Sequence, residues 1–274
     1  MSRRSIGFPG LLLLLAAACG GGGGNETPTA TPAAGGNSID VKMQEFAFVP
    51  SGMAQRGALT INFSNVGKQS HMAVIGRLDA GKTVADVQKL LTSNSNSNPK
   101  WFHNSPADDP LITPGESSGI TIHASKPGTY VMLCFVTDPK THKPHALLGM
   151  LGSFEVANSG SAASAPKPDA TFTVTKTKLK TENLSAGESV IDVTGVTDNR
   201  QFIIMQLDKG KTFKDLSNWF NKGIGNPPAR IFGGTSIAGG ATGIATFDLK
   251  PGTYTAVVAP AGKGKPLTAT FKVT

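Results

Sequence analysis

The feature that most limits the possible folds of this chain is an internal repeat. The segments 78–83 (LDAGKT) and 126–130 (KPGTY) recur as 207–212 (LDKGKT) and 250–254 (KPGTY). Because the recurring segments lie more than a hundred residues apart, each copy is long enough to hold a whole set of secondary-structure elements rather than one hairpin. The 274 residues are therefore predicted to form two copies of one domain.

Each copy is predicted to consist mostly of short β-strands. Segments that are β-branched or alternate in polarity lie between Gly, Pro, Asn and Ser, which is typical of strands joined by turns. In the first copy these segments are 39–48, 58–65, 72–78, 119–124, 129–136 and 152–156. One helix is expected in each copy, at 83–91 behind a Thr83 cap and at 212–220. This pattern favours an all-β fold of two tandem Greek-key β-sandwiches, each with one short helical insert.

The N-terminal residues are predicted to direct export. Arg3 and Arg4 precede an apolar stretch that is too short to span a bilayer but suits a secretory signal. The sequence LAAAC at 15–19 resembles a bacterial lipobox, with Leu15 one place further from the cysteine than usual. Residues 1–19 are thus interpreted as a lipoprotein signal peptide whose Cys19 becomes lipidated. We expect an extracytoplasmic protein, periplasmic or on the outer face of the cell membrane, lipid-anchored there; cleavage and secretion without a lipid is the alternative.

Composition divides the rest of the chain. Residues 20–37 and 158–167 lack an apolar face and are predicted to be flexible linkers. They delimit a first domain at 38–157 and a second at 168–274. The net charge of +8 arises mainly in the second domain, but basic residues there are not clustered with aromatic ones. Nucleic acid is therefore not an expected partner.

One segment of the first domain combines three metal-binding side chains. Cys134 is followed by His145 and then by Met150, and His71 lies upstream on an otherwise apolar segment. Two His, one Cys and a weak axial Met are the ligand set of a blue-copper site. Apart from Cys19, Cys134 is the only cysteine. A single thiol in an exported protein is expected to be metal-bound or simply buried in a core.

The second copy serves as an internal control for this hypothesis. At the repeat spacing, His71 corresponds to Arg200 and Cys134 to Val258, and residues 158–274 contain neither His nor Cys. The turn sequences are kept in both copies, whereas the candidate ligands are absent together from the second. This favours a metal site in the first domain and a second domain without one.

The order of these residues resembles that of the cupredoxin family, the plastocyanin and azurin group. A Pro-Gly-Thr-Tyr turn leads into a strand that ends in Cys134, and HALLGM at 145–150 resembles the His-x3-Gly-Met motif of multicopper oxidases and copper nitrite reductases. The resemblance implies one type 1 copper in the first domain, bound by His71, Cys134, His145 and Met150. The Cys–His loop is longer than in small electron carriers and makes His142 a rival to His145.

Zinc is the alternative metal, because a Cys and two His also suit a tetrahedral zinc site. Copper is favoured because it stands above zinc in the Irving–Williams order and because a thioether is a poor zinc ligand.

The expected function is that of a membrane-tethered blue copper protein that carries single electrons between redox partner proteins, with His145 at an exposed edge. An enzyme is not expected, because five histidines cannot supply the additional copper sites of copper nitrite reductases and multicopper oxidases. No small-molecule substrate is expected either. Copper sequestration or delivery is the alternative, and a purely scaffolding β-domain is a third possibility.

Overall fold

A computed structural model describes most of the chain beyond its N-terminal region. The described residues are 37–93, 99–105, 107–158, 163–222, 224–261 and 264–274. They belong to one compact unit. The predicted signal peptide, Cys19 and nearly all of the 20–37 linker lie outside the described residues. Among the helices of those ranges, none is both long enough and apolar enough to cross a membrane.

The first half, up to residue 158, is built mainly of strands. Its elements are β1 (Ser38–Gln44), β2 (Ala47–Gly52), β3 (Ala54–Gln55), β4 (Gly57–Asn65), β5 (His71–Leu78), α1 (Val84–Thr92), β6 (Phe102–Asn104), β7 (Asp109–Ile112), β8 (Ser117–Ala124), β9 (Gly128–Leu133), a 3-10 helix (His145–Leu148) and β10 (Leu151–Ala157). The prediction of one strand over 39–48 is wrong, because the chain turns at Glu45 and Phe46 and β2 pairs antiparallel with β1.

Two sheets of the first half enclose an apolar core. Strands β8, β4, β1 and β2 form one sheet, and β3, β10, β9, β5 and β6 form the other. Strand β4 shows why they pack face to face: Leu59, Ile61 and Phe63 alternate with partly exposed residues and are fully buried. Alternating burial of this kind covers one face of a sheet. The predicted all-β sandwich fold is confirmed.

The second half is built of a similar series of elements. They are β11 (Ala170–Val174), β12 (Leu179–Lys180), β13 (Gly187–Thr194), β14 (Arg200–Leu207), α2 (Phe213–Lys222), β15 (Ala229–Ile237), β16 (Gly243–Leu249), β17 (Gly252–Pro260) and β18 (Leu267–Val273). Strand β11 pairs parallel with β13, as β1 does with β4. Strand β17 lies between β14 and β18, as β9 lies between β5 and β10. The domain boundaries at 157 and 168 stay predictions.

The helices of both halves begin with the same capping interaction. Thr83 and Asp86 exchange side-chain to backbone hydrogen bonds at the start of α1, and Thr212 and Asp215 do so before α2. These reciprocal caps satisfy amide groups that a helix start leaves unpaired.

The two halves are joined edge to edge in one sheet. Strand β16 pairs antiparallel with β8, which makes a continuous sheet of eight strands. Gly119 lies opposite Thr246 at this seam, and a Cβ atom at Gly119 would approach the Thr246 Cβ to 3.2 Å and the Asn62 Oδ1 to 2.9 Å. A glycine here lets the strands of the two halves come together.

Candidate metal centre

Three candidate ligands come together at one end of a pair of neighbouring antiparallel strands. His71 is the first residue of β5, and Cys134 directly follows β9. These strands pair antiparallel, so the start of one lies beside the end of the other. His145 begins the 3-10 helix, and the amide of the next residue, Ala146, donates to the Cys134 carbonyl over 2.7 Å. The predicted strand over 129–136 therefore ends early, at Leu133.

The side-chain atoms of these residues form a small triangle. His71 Nδ1 lies 3.2 Å from His145 Nδ1, and Cys134 Sγ lies 3.5 Å from His145 Nδ1 and 3.9 Å from His71 Nδ1. A point equidistant from the three atoms is about 2.1 Å from each, which is within the usual range of metal–nitrogen and metal–sulfur bonds, about 2.0 to 2.3 Å. All three residues are fully buried. The triangle has the dimensions and the donor set that a thiophilic metal ion requires.

Met150 is tied to this cluster through its backbone. Its amide donates to the His145 carbonyl over 2.9 Å, and its carbonyl accepts from the Cys134 amide over 3.4 Å. Gly149, at φ 106°, makes the left-handed turn that ends the 3-10 helix just before it. The Met150 side chain is fully buried in the core of the first half.

The long loop between Cys134 and His145 is internally bonded. The Asp138 amide donates to the Lys143 carbonyl, and the His145 amide donates to the Val136 carbonyl. The Asp138 carboxylate accepts from both the amide and the hydroxyl of Thr141. A loop of this length can therefore present His145 in one orientation. His142 is exposed, at φ 57°, and lies outside the cluster.

Gln69 fixes the tautomer of His145. Its Nε2 donates to Asp138 Oδ1 over 3.0 Å, and side-chain hydrogen bonds from Gln69 and Thr141 lower the pKa of Asp138 to about 2. Because an ionised carboxylate can only accept, the Gln69 amide must present its Oε1 to His145 Nε2, 3.1 Å away. Nε2 then carries the proton, and the Nδ1 lone pair faces Cys134.

Glu45 plays a comparable part beside His71. Its Oε1 accepts from the amides of Lys68 and Gln69, over 2.6 Å each, and lies 3.5 Å from His71 Nε2. Partial burial raises the pKa of Glu45, but these amides outweigh it and hold the pKa below its ordinary value. A carboxylate facing Nε2 favours a proton there and leaves Nδ1 as the free donor. A Cβ atom at Gly67 would lie 2.7 Å from Glu45 Oε1 and 2.9 Å from His71 Nε2, so this approach requires glycine.

Burial controls the protonation of the three candidate ligands. It lowers the pKa of His71 to about 4, with the neighbouring His145 adding to the effect, and it also lowers the pKa of His145. Both imidazoles are neutral near pH 7. Burial raises the pKa of the Cys134 thiol to about 12, so a metal cation is what would make it a thiolate at that pH.

The expected exposed edge at His145 is wrong. The residue is fully buried, because the Phe46 ring packs edge-on against it with centroids 4.9 Å apart and Gln69 covers its Nε2. Leu147, two residues later, is 42 % exposed, and Phe135, next to Cys134, is 41 % exposed. The solvent-facing apolar surface near the site comes from these two residues rather than from the imidazole.

The remaining histidines lie elsewhere. His103, on β6, bonds to Asp79 Oδ1 over 2.8 Å, and His123 is exposed on β8. Among the described residues, one group of at least three His, Cys, Asp or Glu side chains has its ligand atoms close enough to share a metal ion, namely His71, Cys134 and His145.

Sequence reasoning missed the residues that orient the imidazoles. Glu45 belongs to a turn within the segment 39–48, for which the sequence predicts one strand, and Gln69 precedes His71 by two positions with no motif around it. Asn226, from the second half, contacts Ser70 from 156 positions away. The glycine in the Asn-Val-Gly turn at 65–67 was the one available signal of a close approach near His71.

Comparisons with known proteins give distant matches. No family model matches the sequence, and no curated protein does. A dithionite-reduced auracyanin from the photosynthetic bacterium Roseiflexus castenholzii is 27 % identical over 44 % of this chain and 97 % of that chain, with a TM-score of 0.30. Auracyanin A, a "blue" copper protein from Chloroflexus aurantiacus, is 23 % identical over 44 % of this chain and 98 % of that chain, with a TM-score of 0.29. A blue copper oxidase from Nitrosomonas europaea is 12 % identical over 86 % and 85 %, with a TM-score of 0.24.

Proposed function

We propose that this chain is a type 1 copper protein that carries single electrons between redox partners. The observation that supports it best is the buried triangle of Cys134 Sγ and the Nδ1 atoms of His71 and His145. A copper ion held there would supply a one-electron couple. The chain's own contribution is to hold the donors in a fixed arrangement and to exclude water from them.

The residues around the triangle suit this task. Gln69 and Glu45 keep both Nδ1 lone pairs directed at the site, and Phe46 shields His145 from solvent. Met150 is proposed as the fourth residue that would hold the ion, and its weakly binding thioether would tune the potential. A rigid, dry site changes little between oxidation states, which favours electron transfer over metal exchange.

The proposed partners are redox proteins, and the proposed place is the outer face of a membrane. Exposed Phe135 and Leu147 would offer such a partner an apolar contact near the site. Cys19 would carry the lipid anchor, which a Cys19→Ala variant tests directly: it should appear in the soluble fraction while the parent chain stays with membranes. We further propose that the protein is not an enzyme, since five histidines leave too few for a second copper site.

The deciding experiment is the visible absorption spectrum of the full chain with one equivalent of Cu(II). We expect an intense thiolate-to-copper band that is absent in Cys134→Ser, together with a reversible one-electron wave in voltammetry. A colourless protein that prefers Zn(II) would overturn the copper assignment. A coloured protein without reversible redox chemistry, from which a chelator removes copper rapidly, would favour copper delivery instead.

A further inference from the structure

One loop of the second half reaches the segment that carries His71. Asn226 lies in the loop between α2 and β15, and its Oδ1 accepts from both the amide and the hydroxyl of Ser70, over 2.8 and 3.0 Å. Its Nδ2 donates to the Lys68 carbonyl over 3.2 Å. Ser70 is fully buried and directly precedes His71. One side chain of the second half thus fixes the backbone from which a candidate ligand projects.

The same loop also reaches the segment between Cys134 and His145. Ile224 forms a parallel β-bridge with Thr137, three residues after Cys134. The Ile224 carbonyl is held in turn by the Trp219 indole N–H over 3.0 Å. Trp219 packs against an apolar cluster to which both halves contribute buried residues, so the base of the loop is anchored at the junction of the halves. Residues 224–226 consequently contact both chain segments that supply candidate ligands.

We infer that residues 224–226 of the second half form a brace that positions His71 and the Cys134–His145 loop, with Asn226 as its principal positioning residue. The inference rests on the proposed metal-binding function and assigns the second half, which has no ligands of its own, a part in that site. Asn226 forms its hydrogen bonds with Ser70 and Lys68 rather than with a candidate ligand, and it acts on His71 through Ser70.

The physical reason lies in what Ser70 would lose. Its amide and hydroxyl are buried, and a buried donor without a partner costs the full penalty of its lost hydration. Without Asn226, the 68–70 segment would move toward water to satisfy these donors. Gln69 lies within that segment and holds both Asp138 and His145, so the displacement would reach two of the three candidate ligands.

Asn226 is itself exposed, which makes it a suitable target. In the full chain, Asn226→Ala removes all three hydrogen bonds, whereas Asn226→Asp keeps an oxygen that can accept from Ser70. With one equivalent of Cu(II), we expect Asn226→Ala to alter the ratio of the thiolate-to-copper bands and to release copper to a chelator about tenfold faster. Asn226→Asp should restore the spectrum of the parent chain.

Two controls separate positioning from general stability. Asn183→Ala removes a bond of the same type within the second half, where Asn183 Oδ1 accepts from the Lys272 amide. Arg230→Met removes an ion pair between the halves, to Glu116, that involves no residue adjacent to a ligand. Arg230→Met leaves the nearly buried Glu116 carboxylate without its partner and should lower the melting temperature more than Asn183→Ala does. Both variants should leave spectrum and release rate unchanged.

The outcomes distinguish this inference from the proposed function. A parent chain without a thiolate-to-copper band overturns both. A parent chain with the band, and an Asn226→Ala variant that matches it in spectrum and release, overturns the brace alone. An equal change in Asn226→Ala and Arg230→Met would also overturn it, because the effect would then belong to the whole seam between the halves.

Discussion

The two halves of the molecule differ in what lies between their last two strands. In the first half, residues 134–150 leave β9, form the 3-10 helix and return to β10; in the second half, β17 continues to Pro260 and only residues 261–266 precede β18. Cys134 lies just beyond its strand, whereas Val258 is a buried residue within β17. A longer connection at one end of a sandwich is thus what separates a candidate metal centre from an ordinary core.

The corners of the sandwiches show what the two halves keep. The Tyr130 hydroxyl donates to the Lys126 carbonyl over 3.0 Å, and the Tyr254 hydroxyl donates to the Lys250 carbonyl over 2.8 Å. Each tyrosine also stacks on a phenylalanine of the neighbouring strand. Features shared by both halves therefore maintain the fold, and features confined to the first half build the site.

The largest expected difference between the two halves comes from substituting the residues that begin β5 and β14. His71 is buried and faces the candidate site, while Arg200 forms an ion pair with Asp198 over 2.7 Å. We expect His71→Ala to weaken Cu(II) binding at least about a hundredfold, since one of three strong donors is lost. Arg200→Ala should leave affinity unchanged. Competition with a chromophoric chelator measures both; equal affinities would remove His71 from the site.

A second comparison concerns two glycines without special backbone angles. Gly67→Ala would push a methyl group against Glu45 and His71, whereas at Gly252 the nearest atom to a new Cβ is 3.5 Å away. We expect Gly67→Ala to weaken copper binding about tenfold, as loss of an orienting contact does. Gly252→Ala should have no effect on binding. Unchanged affinity in Gly67→Ala would mean that Glu45 does not orient His71.

A third comparison uses two carboxyl groups, Asp109 and Asp192. Burial raises the pKa of Asp109 to about 7, with only a Ser118 hydroxyl and a backbone amide opposing it. The folded state therefore prefers the protonated form, and stability is lost as pH rises from about 4 through about 7. Relative to the parent chain, Asp109→Asn should gain on the order of a few kcal/mol at pH 8 and almost nothing at pH 4.

Asp192 is the matched control for this pH dependence. Its pKa is also raised by burial, but the residue is only partly buried, so Asp192→Asn should show a smaller gain with the same sign. Urea unfolding of the three proteins at pH 4 and pH 8 measures the differences. A gain for Asp109→Asn that is independent of pH would show that the carboxyl does not titrate in this range.

The sequence predicts the core of this molecule better than its polar contacts. Alternating apolar residues in β4 and the Thr83 cap are local signals, and the structure contains both elements. His71, Cys134 and His145 were grouped by residue type and spacing, and the structure brings their side chains together. Predicting Gln69 or Asn226 was not possible, because each acts on a partner that only the folded chain brings near.

The burial of His145 shows the same limit. The sequence predicts His145 at an exposed edge, but which residue faces solvent depends on what packs over the loop. Phe46 lies about a hundred positions away in sequence and covers the ring. Such a contact leaves no periodic signal, so spacing alone identified the chemistry and not its exposure.

The smallest expected effect concerns the helix caps and tests whether they stabilise the two halves equally. Thr83 and Thr212 cap α1 and α2 with reciprocal bonds to Asp86 and Asp215. Replacing either threonine with Ala should cost about 1 kcal/mol of unfolding free energy, the usual loss of a capping side chain. Urea titration measures both. If Thr212→Ala also speeds copper release while Thr83→Ala does not, then α2 transmits its stability to the site through Trp219 and Ile224. If both variants lose the same unfolding free energy and neither changes copper release, the influence of the second half on the site is confined to Asn226.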